Sequence, residues 1–500
     1  MEIKRRIRDN LYGTIDISTL EAELIAHPAF QRLRRIRQTS FLSLIFPGAS
    51  HSRLEHSLGV MHLVGLAWGK IKDNQIRLRQ QCSRYKSFAT REQNPETGET
   101  TNGLLFPTFS EVESIFASSY VLQALRLAAL LHDVGHPPFS HSGERFLPDA
   151  KSVLRENTHL PEYLRKHISQ LGTKSKSTLV SHEILSVILI HEILGEVYFR
   201  NPKLAFQVSA QDIASLIIPS INPDPHSELI KHSALHLCRE LISGDIDVDR
   251  MDYLRRDAKE CGVAYGHFDV DRVLDSLTFY FSPDDKQFHL ALQYSGLPAL
   301  EDYLRARQSM YIQLYFHKTA AACEAMLQRM RSLLGTWTLP ANIKEYIQMD
   351  EHEIRADLTR AGKQSLDKQQ QEELQTLIQD LLVNRRLWKM VYEITDYGKN
   401  EKETETQLNA IASFLQREHI SFEKISSKTA LTKLNLKGDG KKSPNTLRLI
   451  KLNPKLFPRV ERVEDYSSIP RENQVAFHRI YVKPEDAMET RAAIQEVLDS

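Results

Sequence analysis

Apolar residues recur at helical spacing over most of the chain, and this pattern predicts a mainly α fold. Short segments alternate instead, and the first of them, around Ile15 and Ile17, predicts a β-hairpin with a turn at Tyr12-Gly13. The helices predicted in the first half lie at 19–26 and 29–37, from the break at Pro47-Gly48 through His56 to Trp68, from Tyr120 to Leu131, and near 181–194, 231–243 and 247–259.

The pattern changes in the second half of the chain. Residues 276–292 alternate around a Pro-Asp-Asp turn and predict a second hairpin, whereas Pro298 to about Leu334 predicts one long helix. The further predicted segments are an exposed loop at 91–110, charge-rich helices over 350–420, a hairpin over 429–453 with a basic turn at Gly438 to Ser443, and a helix at 486–498. We therefore expect a helical catalytic core at 1–335, and a small α+β C-terminal region at 336–500 with a packing or oligomer-contact role.

Composition narrows the class of protein. Of 500 residues, 41% are hydrophobic and 26% are charged, as in an ordinary globular protein. Lys and Arg total 65 and Asp and Glu total 64, so the net charge of +1 argues against nucleic acid as the main partner, with local single-strand binding left open. Four cysteines without a C-x-x-C pair, and a start without an apolar signal segment, predict a cytoplasmic protein with no membrane span.

One segment concentrates residues suited to metal and acid–base chemistry. The apolar helix that ends at Leu131 leads into HDVGHPPFSHSGE, where His132, Asp133, His136, His141 and Glu144 lie within 13 residues. Imidazole nitrogen beside carboxylate oxygen suits a divalent cation. The same segment also fits a solvated loop whose histidines cap helices.

Two other segments are ambiguous when taken alone. His56, in RLEHSLG, lies among helix-forming residues, where a lone histidine is more often part of the core than a ligand. In DIDVDRMDYLRRD, the side chains of Asp249, Tyr253 and Asp257 fall on one helix face at intervals of four residues. That face fits a row of ligands, and it also fits a solvated acidic surface with Tyr253 packed inward.

The order His…His-Asp…Asp resembles the ligand set of the HD-domain phosphohydrolase superfamily. The stretches FQRLRRIRQ, FPGASHSRLEHSLGV, HDVGHPPFSHSGE and DVDRMDYLRRD are similar to those of the deoxynucleoside triphosphate triphosphohydrolases, which include bacterial dGTPases and animal SAM-and-HD-domain dNTPases. The resemblance runs from about Asp9 to Lys318 and includes, more loosely, FHRIYVKPED in the C-terminal region. Because it begins near residue 9, we expect no SAM-like domain.

This resemblance implies that a dNTP and water react to give a deoxynucleoside and inorganic triphosphate. The ligands that it implies for a divalent cation (Mn, Mg, Fe or Zn) are His56, His132, Asp133 and Asp249. It makes His141 the general acid on the 5′-oxygen and Glu144 the partner that orients His141, following the bacterial HSGE form. His136 and His182 match further active-site histidines near the phosphates.

The resemblance also implies a set of substrate contacts. These are Arg53, Arg250, Arg307 and Lys318 around the triphosphate, Tyr253 and Tyr315 against the sugar where a 2′-hydroxyl would clash, and Gln38 and Asp257 at the 3′-hydroxyl. Thr39, Phe316 and Arg250 replace the Leu, Gln and Lys of the animal enzymes, so we expect different selectivity and a different phosphate grip. Apart from the resemblance, Tyr315 and Lys318 fit an ordinary helix with core aromatics.

Oligomerisation and activation are further implications of the resemblance. Enzymes of this group often form tetramers or hexamers, and some need a nucleotide at a second site between subunits. Asp9 takes the place of an aspartate that reads an activating guanine, so we expect a homo-oligomer with a candidate activating-nucleotide site. Asp9-Asn10 also fits simple turn chemistry.

Two other functions stay open at this stage. One is a different HD phosphohydrolase that acts on nucleoside monophosphates, cyclic nucleotides or guanosine polyphosphates, and the other is a non-enzymatic nucleotide-sensing protein. The long stretch from Asp249 to Asp257, followed by Tyr315 and Lys318, favours a triphosphate substrate because smaller HD enzymes need no such clamp. The complete set of ligand types favours an active site over an idle one.

Overall fold

The structure, a computed structural model, describes residues 3–83, 109–174, 179–204, 207–282, 285–397, 401–430, 447–453, 456–463, 466–468 and 474–499. Helices dominate these residues, which confirms the mainly α prediction. The helices are α1 Thr19–Ala26, α2 Pro28–Gln31, α3 Arg53–Ser83, α4 Phe109–Ala117, α5 Ser119–Leu131, α6 Ser140–Gly143, α7 Ala150–Glu156, α8 Glu162–Lys174, α9 His182–Arg200, α10 Ala210–Ile217, α11 Glu228–Lys231, α12 Leu235–Ser243, α13 Val248–Cys261, α14 Val270–Leu274, α15 Leu297–Met310, α16 Lys318–Leu334, α17 Ile343–Tyr346, α18 Glu353–Ser365, α19 Lys368–Gln379, α20 Glu401–Arg417 and α21 Ala487–Asp499.

Small sheets accompany the helices. Among the described residues, β1 pairs with β2, the order β3-β4-β7-β8 forms a second sheet, and the order β5-β9-β6 forms a third. Within them β4 and β7 run parallel and the other neighbours antiparallel. The strands are β1 Ile3–Asp9, β2 Gly13–Ser18, β3 Leu277–Ser282, β4 Gln287–Gln293, β5 Lys389–Asp396, β6 Phe422–Ala430, β7 Arg448–Asn453, β8 Leu456–Arg462 and β9 Gln474–Val482.

The helix α5 lies at the centre of the main core. Every residue from Gln123 to Leu131 is buried, which fits a helix that is apolar on nearly all faces. It packs against α3 and α10, and α13 in turn packs against α3. Its buried position means that the residues after Leu131 emerge inside the molecule.

The segment predicted as a helix at 29–37 has a different form. The chain makes one α turn, α2, then a 3-10 turn at Arg32–Arg35, and Ile36 is extended. The backbone beyond this turn pairs with the approach to α3: the amide of Gln38 donates to the carbonyl of His51 (3.0 Å), and the amide of Arg53 donates to that of Ile36 (2.9 Å). These bonds compete with helix continuation, and the predicted helix is wrong beyond Arg35.

The predicted single helix from Pro298 to Leu334 is also wrong. After α15 a π-helical turn covers Tyr311–Tyr315, and α16 begins only at Lys318. The C-terminal strand β9 satisfies carbonyls at this break, since Arg479 Nη1 donates to Phe316 O (2.6 Å) and Tyr481 Oη donates to Lys318 O (2.7 Å). The chain is thereby held in a non-helical path that pattern alone does not reveal.

Three further predictions differ from the structure. The predicted hairpin over 429–453 is wrong, because β6 pairs with β9 while β7 pairs with β4 and β8. Its proposed turn lies outside the described residues, as does nearly all of the predicted loop at 91–110. The predicted helices over 350–420 miss the strand β5. The helix predicted near 231–243 corresponds to α12, which begins only at Leu235.

Residues on both sides of the predicted boundary at 335 share elements of the fold. The sheet that contains β3 and β4 also contains β7 and β8, and Trp388 and Tyr481 belong to the same buried cluster as α5. The division into 1–335 and 336–500 stays a prediction. None of the helices that the structure describes combines the length and apolarity that a membrane crossing requires.

Arg32 is a buried cation that fixes the segment after α5. Its guanidinium donates to the carbonyls of Met349 (2.6 Å), Val134 (3.2 Å) and His136 (2.6 Å), and the side chain is fully buried. These hydrogen bonds offset the free-energy cost of removing the charge from water, and they satisfy three buried carbonyl groups.

Replacing Arg32 by methionine should lower the free energy of unfolding by roughly 3–5 kcal/mol, because three buried carbonyls lose their donor. Chemical denaturation measures the change. The exposed Arg34, which bonds Gln31, provides the matched control Arg34→Met, with an expected change below about 0.5 kcal/mol. Equal losses in the two variants would contradict this account of Arg32.

Candidate active site

Three helix ends bring four predicted metal ligands together. His56 lies in the first turn of α3, His132 and Asp133 follow α5, and Asp249 lies in the first turn of α13. His56 Nε2 is 3.0 Å from Asp249 Oδ1, and His132 Nε2 is 3.6 Å from the same oxygen. The carboxylate of Asp133 lies 3.3 Å from His132 Nε2 and 3.6 Å from His56 Nε2. The potential ligand atoms of His56, His132 and Asp249 all lie within 4.8 Å of one another.

The hydrogen bonds of the two imidazoles fit a cation at this position. His132 Nδ1 donates to Ala129 O (2.8 Å), and His56 Nδ1 lies 2.9 Å from Asp252 Oδ2. Each ring thereby keeps Nε2 as its ligand nitrogen. His132 Nε2 is buried and makes no well-oriented hydrogen bond among the described residues, although the carboxylates of Asp133 and Asp249 lie 3.3 and 3.6 Å away. A cation between these groups would complete the site.

Charge at the cluster is dominated by its carboxylates. Burial opposes protonation of His56, but hydrogen bonds and charges from Asp249 and Asp252 outweigh it and raise the pKa of His56 to about 10. For Asp133, burial favours the neutral acid, yet the charges of Arg53 and His132 hold its pKa well below the usual range. Ionised carboxylates around imidazole nitrogens are the donor set that Mn, Fe or Zn accepts.

A second cluster adjoins the first. Glu144 Oε1 lies 3.0 Å from His141 Nδ1 and 2.5 Å from His182 Nδ1, and the rings of His136 and His182 stack at 3.7 Å. Burial favours protonation of Glu144, but the hydrogen bonds from the two histidines outweigh it and lower its pKa. His136 Nε2 is 3.4 Å from Asp133 Oδ1, which connects the two clusters. Because the potential ligand atoms of these four residues also lie within 4.8 Å of one another, this cluster too could hold a cation.

The histidines of the second cluster differ in burial, and this difference determines which of them can exchange a proton with a bound molecule. Burial, with the charges of Arg53 and His182, lowers the pKa of His136 well below its usual range, so this ring stays neutral. His141 is 70% exposed at its side chain and faces the cavity described below. With Nδ1 held by Glu144, its Nε2 is the nitrogen that can exchange a proton with a bound molecule.

Backbone strain places His141. Phe139 and Ser140 both have positive φ values, 66° and 53°, which non-glycine residues rarely adopt. Ser140 is held there because its hydroxyl accepts from Arg53 Nε (2.8 Å) and donates to Arg37 O (2.5 Å). Such strain persists only where the surroundings compensate for it, as they do here beside the clusters.

One cavity of about 570 Å³ joins these groups, a volume in the usual range for ligand sites. The lining residues come from the segment 38–42, from α3, α6, α13 and α15, from the π-helical turn and the residue after it, and from α16 and β6. They are Gln38, Thr39, Ser40, Phe41, Leu42, Arg53, Ser140, His141, Ser142, Asp249, Arg250, Tyr253, Asp257, Arg307, Tyr311, Tyr315, Phe316, Ala320, Ala321, Glu324 and Ser427.

A wall of tyrosines lies beside the metal-ligand cluster in this cavity. The ring of Tyr315 stands edge-on to Tyr253 (6.1 Å between centroids) and to Tyr311 (5.1 Å). Asp257 is fixed by His51 Nε2 (2.7 Å) and by the Tyr315 hydroxyl (2.6 Å). Tyr311 and Tyr315 are the first and last residues of the π-helical turn, so this turn supplies two of the three tyrosines.

The predicted phosphate contacts fall into different environments. Arg53 donates to Asp133, and Arg250 Nη1 bonds Asp247 at the N-terminus of its own helix (2.5 Å). Arg307 lies over the ring of Tyr311 (5.2 Å) and lines the cavity. Lys318 is exposed at the start of α16 and is not among the residues that line the cavity.

Two of the predicted substrate contacts have buried side-chain oxygens without a hydrogen bond. Gln38 Oε1 and Thr39 Oγ1 are buried and find no hydrogen-bond partner among the described residues, although both residues line the cavity. Such atoms are rare in native proteins and are completed by an ordered water or by a bound ligand.

Asp9 lies inside the subunit. It is 7% exposed, and its carboxylate accepts from the amides of Leu11 and Tyr12 (2.8 Å each) and from Arg256 Nη1 (3.0 Å). Its predicted nucleotide-reading role stays a prediction.

Sequence reasoning did not identify three residues of the site as functional: His51, Asp252 and Arg256. The signal for His51 was its place two residues before Arg53 in SHSRLEH. For Asp252 and Arg256 it was the spacing of four residues, which allows an ion pair on one helix face.

Comparison with known protein families identifies two regions. Residues 120–257 match the HD domain, and residues 268–416 match the HD associated region. The first region includes every residue of both clusters except His56, and the second includes the π-helical turn.

Comparison with individual proteins gives consistent relatives. The chain is 31% identical over 308 residues to Uncharacterized protein YwfO of Bacillus subtilis, covering 62% of this chain and 50% of that protein. It is 25% identical over 329 residues to deoxynucleoside triphosphate triphosphohydrolase SAMHD1 of Gallus gallus, covering 65% of this chain and 45% of that protein. The chain thus spans about half the length of these curated relatives.

Among solved structures, a hypothetical protein from Aquifex aeolicus shares the fold. The identity is 23%, the TM-score is 0.61, and the alignment covers 98% of this chain and 99% of the other. The likeness therefore extends through the C-terminal region.

Proposed function

Because this chain is an HD-domain protein in which an HD associated region follows the HD domain, we propose that it hydrolyses deoxynucleoside triphosphates. The reaction is dNTP plus water to deoxynucleoside plus inorganic triphosphate, and a divalent cation is required. The similarity to SAMHD1 of Gallus gallus, which is named for this activity, supports the proposal. The predicted homo-oligomer and activating nucleotide stay predictions.

The observation that carries the proposal is that α13 presents three predicted site residues to one cavity, namely a candidate metal ligand and two candidate sugar contacts. Asp249, Tyr253 and Asp257 all line it at intervals of four residues, so they span about 12 Å along the helix. That span accommodates the α-phosphate, the 5′-oxygen and the sugar of one nucleotide. An HD site for a small phosphate ester would not need the further wall of Tyr311 and Tyr315.

The residues that would hold the cation are His56, His132, Asp133 and Asp249. When bound, a divalent cation supplies Lewis-acid activation of water and of the α-phosphate. Arg53 keeps Asp133 oriented and ionised through its hydrogen bond. The orphaned His132 Nε2 and the 3.0 Å approach of His56 Nε2 to Asp249 support this ligand set.

Departure of the nucleoside needs a proton on the 5′-oxygen. In this mechanism water attacks the α-phosphorus, the bond from phosphorus to the 5′-oxygen breaks, and His141 Nε2 delivers a proton to that oxygen. Glu144 holds Nδ1 of His141, and its ionised carboxylate stabilises the imidazolium before the transfer. His182 binds the same carboxylate oxygen and fixes its direction.

The sugar is selected by the tyrosine wall. Tyr253 and Tyr315 pack where C2′ of the sugar would lie, so an added 2′-hydroxyl meets a ring edge. Asp257, held by His51 and Tyr315, presents carboxylate oxygen to the 3′-hydroxyl. The unpartnered Oε1 of Gln38 is an alternative acceptor for the single proton of this hydroxyl.

The test is a product analysis with the full chain. The four dNTPs and GTP are supplied singly and in pairs with Mn²⁺ or Mg²⁺, and the products are separated by anion-exchange chromatography. We expect deoxynucleoside and inorganic triphosphate, and little turnover of GTP. Release of orthophosphate or pyrophosphate would overturn the proposal and favour another HD phosphohydrolase, and activity that appears only in pairs would reveal an activating site.

A further inference from the structure

A buried chain of charged groups connects the N-terminal hairpin to the ligand His56. Asp252 Oδ2 lies 2.9 Å from His56 Nδ1, and Arg256 binds both oxygens of Asp252 (2.9 and 3.0 Å). Arg256 Nη1 in turn donates to Asp9 Oδ2 (3.0 Å). This series of charged side chains thus runs from the end of β1, through two residues of α13, to the first turn of α3.

All members of this chain are withdrawn from solvent. The relative exposure is 0% for Asp252, 1% for Arg256 and for His56, and 7% for Asp9. Buried charges are retained only where neighbours compensate for the lost hydration. Here one guanidinium lies between two carboxylates. Removing either carboxylate takes away a charged acceptor from the buried Arg256.

A glycine allows this chain to form. A Cβ at Gly59 would lie 2.0 Å from Asp252 Oδ1 and 2.3 Å from Arg256 Nη2, far inside contact distance. Gly59 is three residues after His56, on the same face of α3. The sequence HSLG therefore contains both the candidate ligand His56 and the glycine that leaves room for the side chains of Asp252 and Arg256 beside it.

The bond to Asp252 determines which nitrogen of His56 carries the proton. A carboxylate accepts only, so in the neutral ring that binds a cation it favours the tautomer with hydrogen on Nδ1, and the Nε2 lone pair is then directed toward Asp249 and His132. The opposite tautomer would direct a hydrogen at the cation.

We propose that Asp252, Arg256 and Asp9 are positioning residues that hold His56 in its ligating tautomer and so set the affinity of the site for its cation. The inference rests on the metal centre of the proposed function but not on its substrate. It gives the N-terminal hairpin a part in the metal site within one subunit.

The first test measures Mn²⁺ affinity without nucleotide. The wild-type chain, Asp252→Asn, Asp9→Asn and the control Asp16→Asn are freed of metal with chelator and titrated with Mn²⁺ under electron paramagnetic resonance detection. Asp16 is an exposed carboxylate of the same hairpin, paired with Arg6 (3.0 Å). Either orientation of the new carboxamide at 252 turns an N–H toward Arg256 or toward His56 Nδ1. We expect Asp252→Asn to weaken Mn²⁺ binding about 10–100-fold, Asp9→Asn to weaken it less, and Asp16→Asn to leave it unchanged.

A second readout separates positioning from loss of fold. The thermal midpoint of each variant is measured in chelator, and dNTP turnover is followed as Mn²⁺ is raised. Positioning predicts that excess Mn²⁺ restores much of kcat for Asp252→Asn with KM for the dNTP unchanged, which a misfolded variant would not show. Folded Asp252→Asn and Asp9→Asn proteins with wild-type Mn²⁺ affinity would overturn the inference.

The two proposals fail in different ways. If the wild type binds Mn²⁺ but converts no dNTP, and Asp252→Asn still binds it more weakly, the substrate assignment falls and the positioning role is supported. If the wild type releases triphosphate but both variants keep their Mn²⁺ affinity, the positioning role falls and the proposed function stands.

Discussion

Replacement of Asp249 by asparagine should remove both Mn²⁺ binding and dNTP hydrolysis. Asp249 Oδ1 is the atom that both ligand histidines approach, at 3.0 and 3.6 Å, and the carboxamide has lost the charge that attracts a cation. Changes to residues behind the ligands typically cost 10–100-fold in affinity or activity, so we expect the loss of a ligand to lower kcat/KM by more than about 100-fold.

A carboxylate elsewhere on the surface provides the control for this variant. Asp271, exposed on α14, is replaced by asparagine and should keep the Mn²⁺ affinity and turnover of the wild type. Mn²⁺ binding is measured by titration, and turnover is measured as triphosphate released. A folded Asp249→Asn protein that still binds Mn²⁺ with wild-type affinity would contradict the ligand assignment.

Replacement of His141 by glutamine should abolish most turnover while leaving the metal site intact. The glutamine cannot deliver a proton, so a leaving 5′-oxygen would have to depart as an alkoxide. General acid catalysis contributes about 10²–10⁴-fold, and we expect kcat to fall in that range. Because the side chain of His141 is 70% exposed, we expect the variant to keep its fold and to change little in Mn²⁺ affinity.

Glu144 and a distant histidine complete this comparison. Glu144→Gln keeps the donor on position 141 but removes the charge that stabilises its imidazolium, so kcat should fall less than in His141→Gln. His226, exposed and outside the cavity, provides the control His226→Gln. Turnover of His141→Gln within a factor of about three of wild type would exclude His141 as the general acid.

Several features of the fold were predictable because they depend on local sequence. The bounds of α1 follow from Ser18, whose hydroxyl accepts from the amide of Glu21 while Glu21 reaches back to the amide of Ser18. The long apolar run before His132 predicts a helix buried on nearly all sides, and α5 is one. The hairpin at β1 and β2 follows from alternation around Ile15, with positive φ at Gly13.

Other features depend on contacts between distant segments and were missed for that reason. The break between α15 and α16 is stabilised by Arg479 and Tyr481, more than 160 residues away in sequence. Strand β7 pairs with β4 and β8 and not with β6, and no property of its own sequence reveals this pairing. Tertiary hydrogen bonds outweigh local helical preference at such positions.

The sequence predicted which residues form the candidate site better than it predicted the contacts of their side chains. Resemblance named residues that the structure brings together, such as His56 and Asp249, which are 193 positions apart. It could not show that Arg250 bonds Asp247 at the N-terminus of its own helix, or that Lys318 is exposed and does not line the cavity. Side-chain direction at these positions depends on neighbours that sequence spacing does not specify.

The central claim is that one cation is shared by His56, His132, Asp133 and Asp249. The direct measurement is anomalous diffraction at the manganese edge from crystals of the full chain soaked in Mn²⁺. We predict an anomalous peak enclosed by these four side chains. A peak confined to His136, His141, Glu144 and His182, with none at the first cluster, would contradict the mechanism.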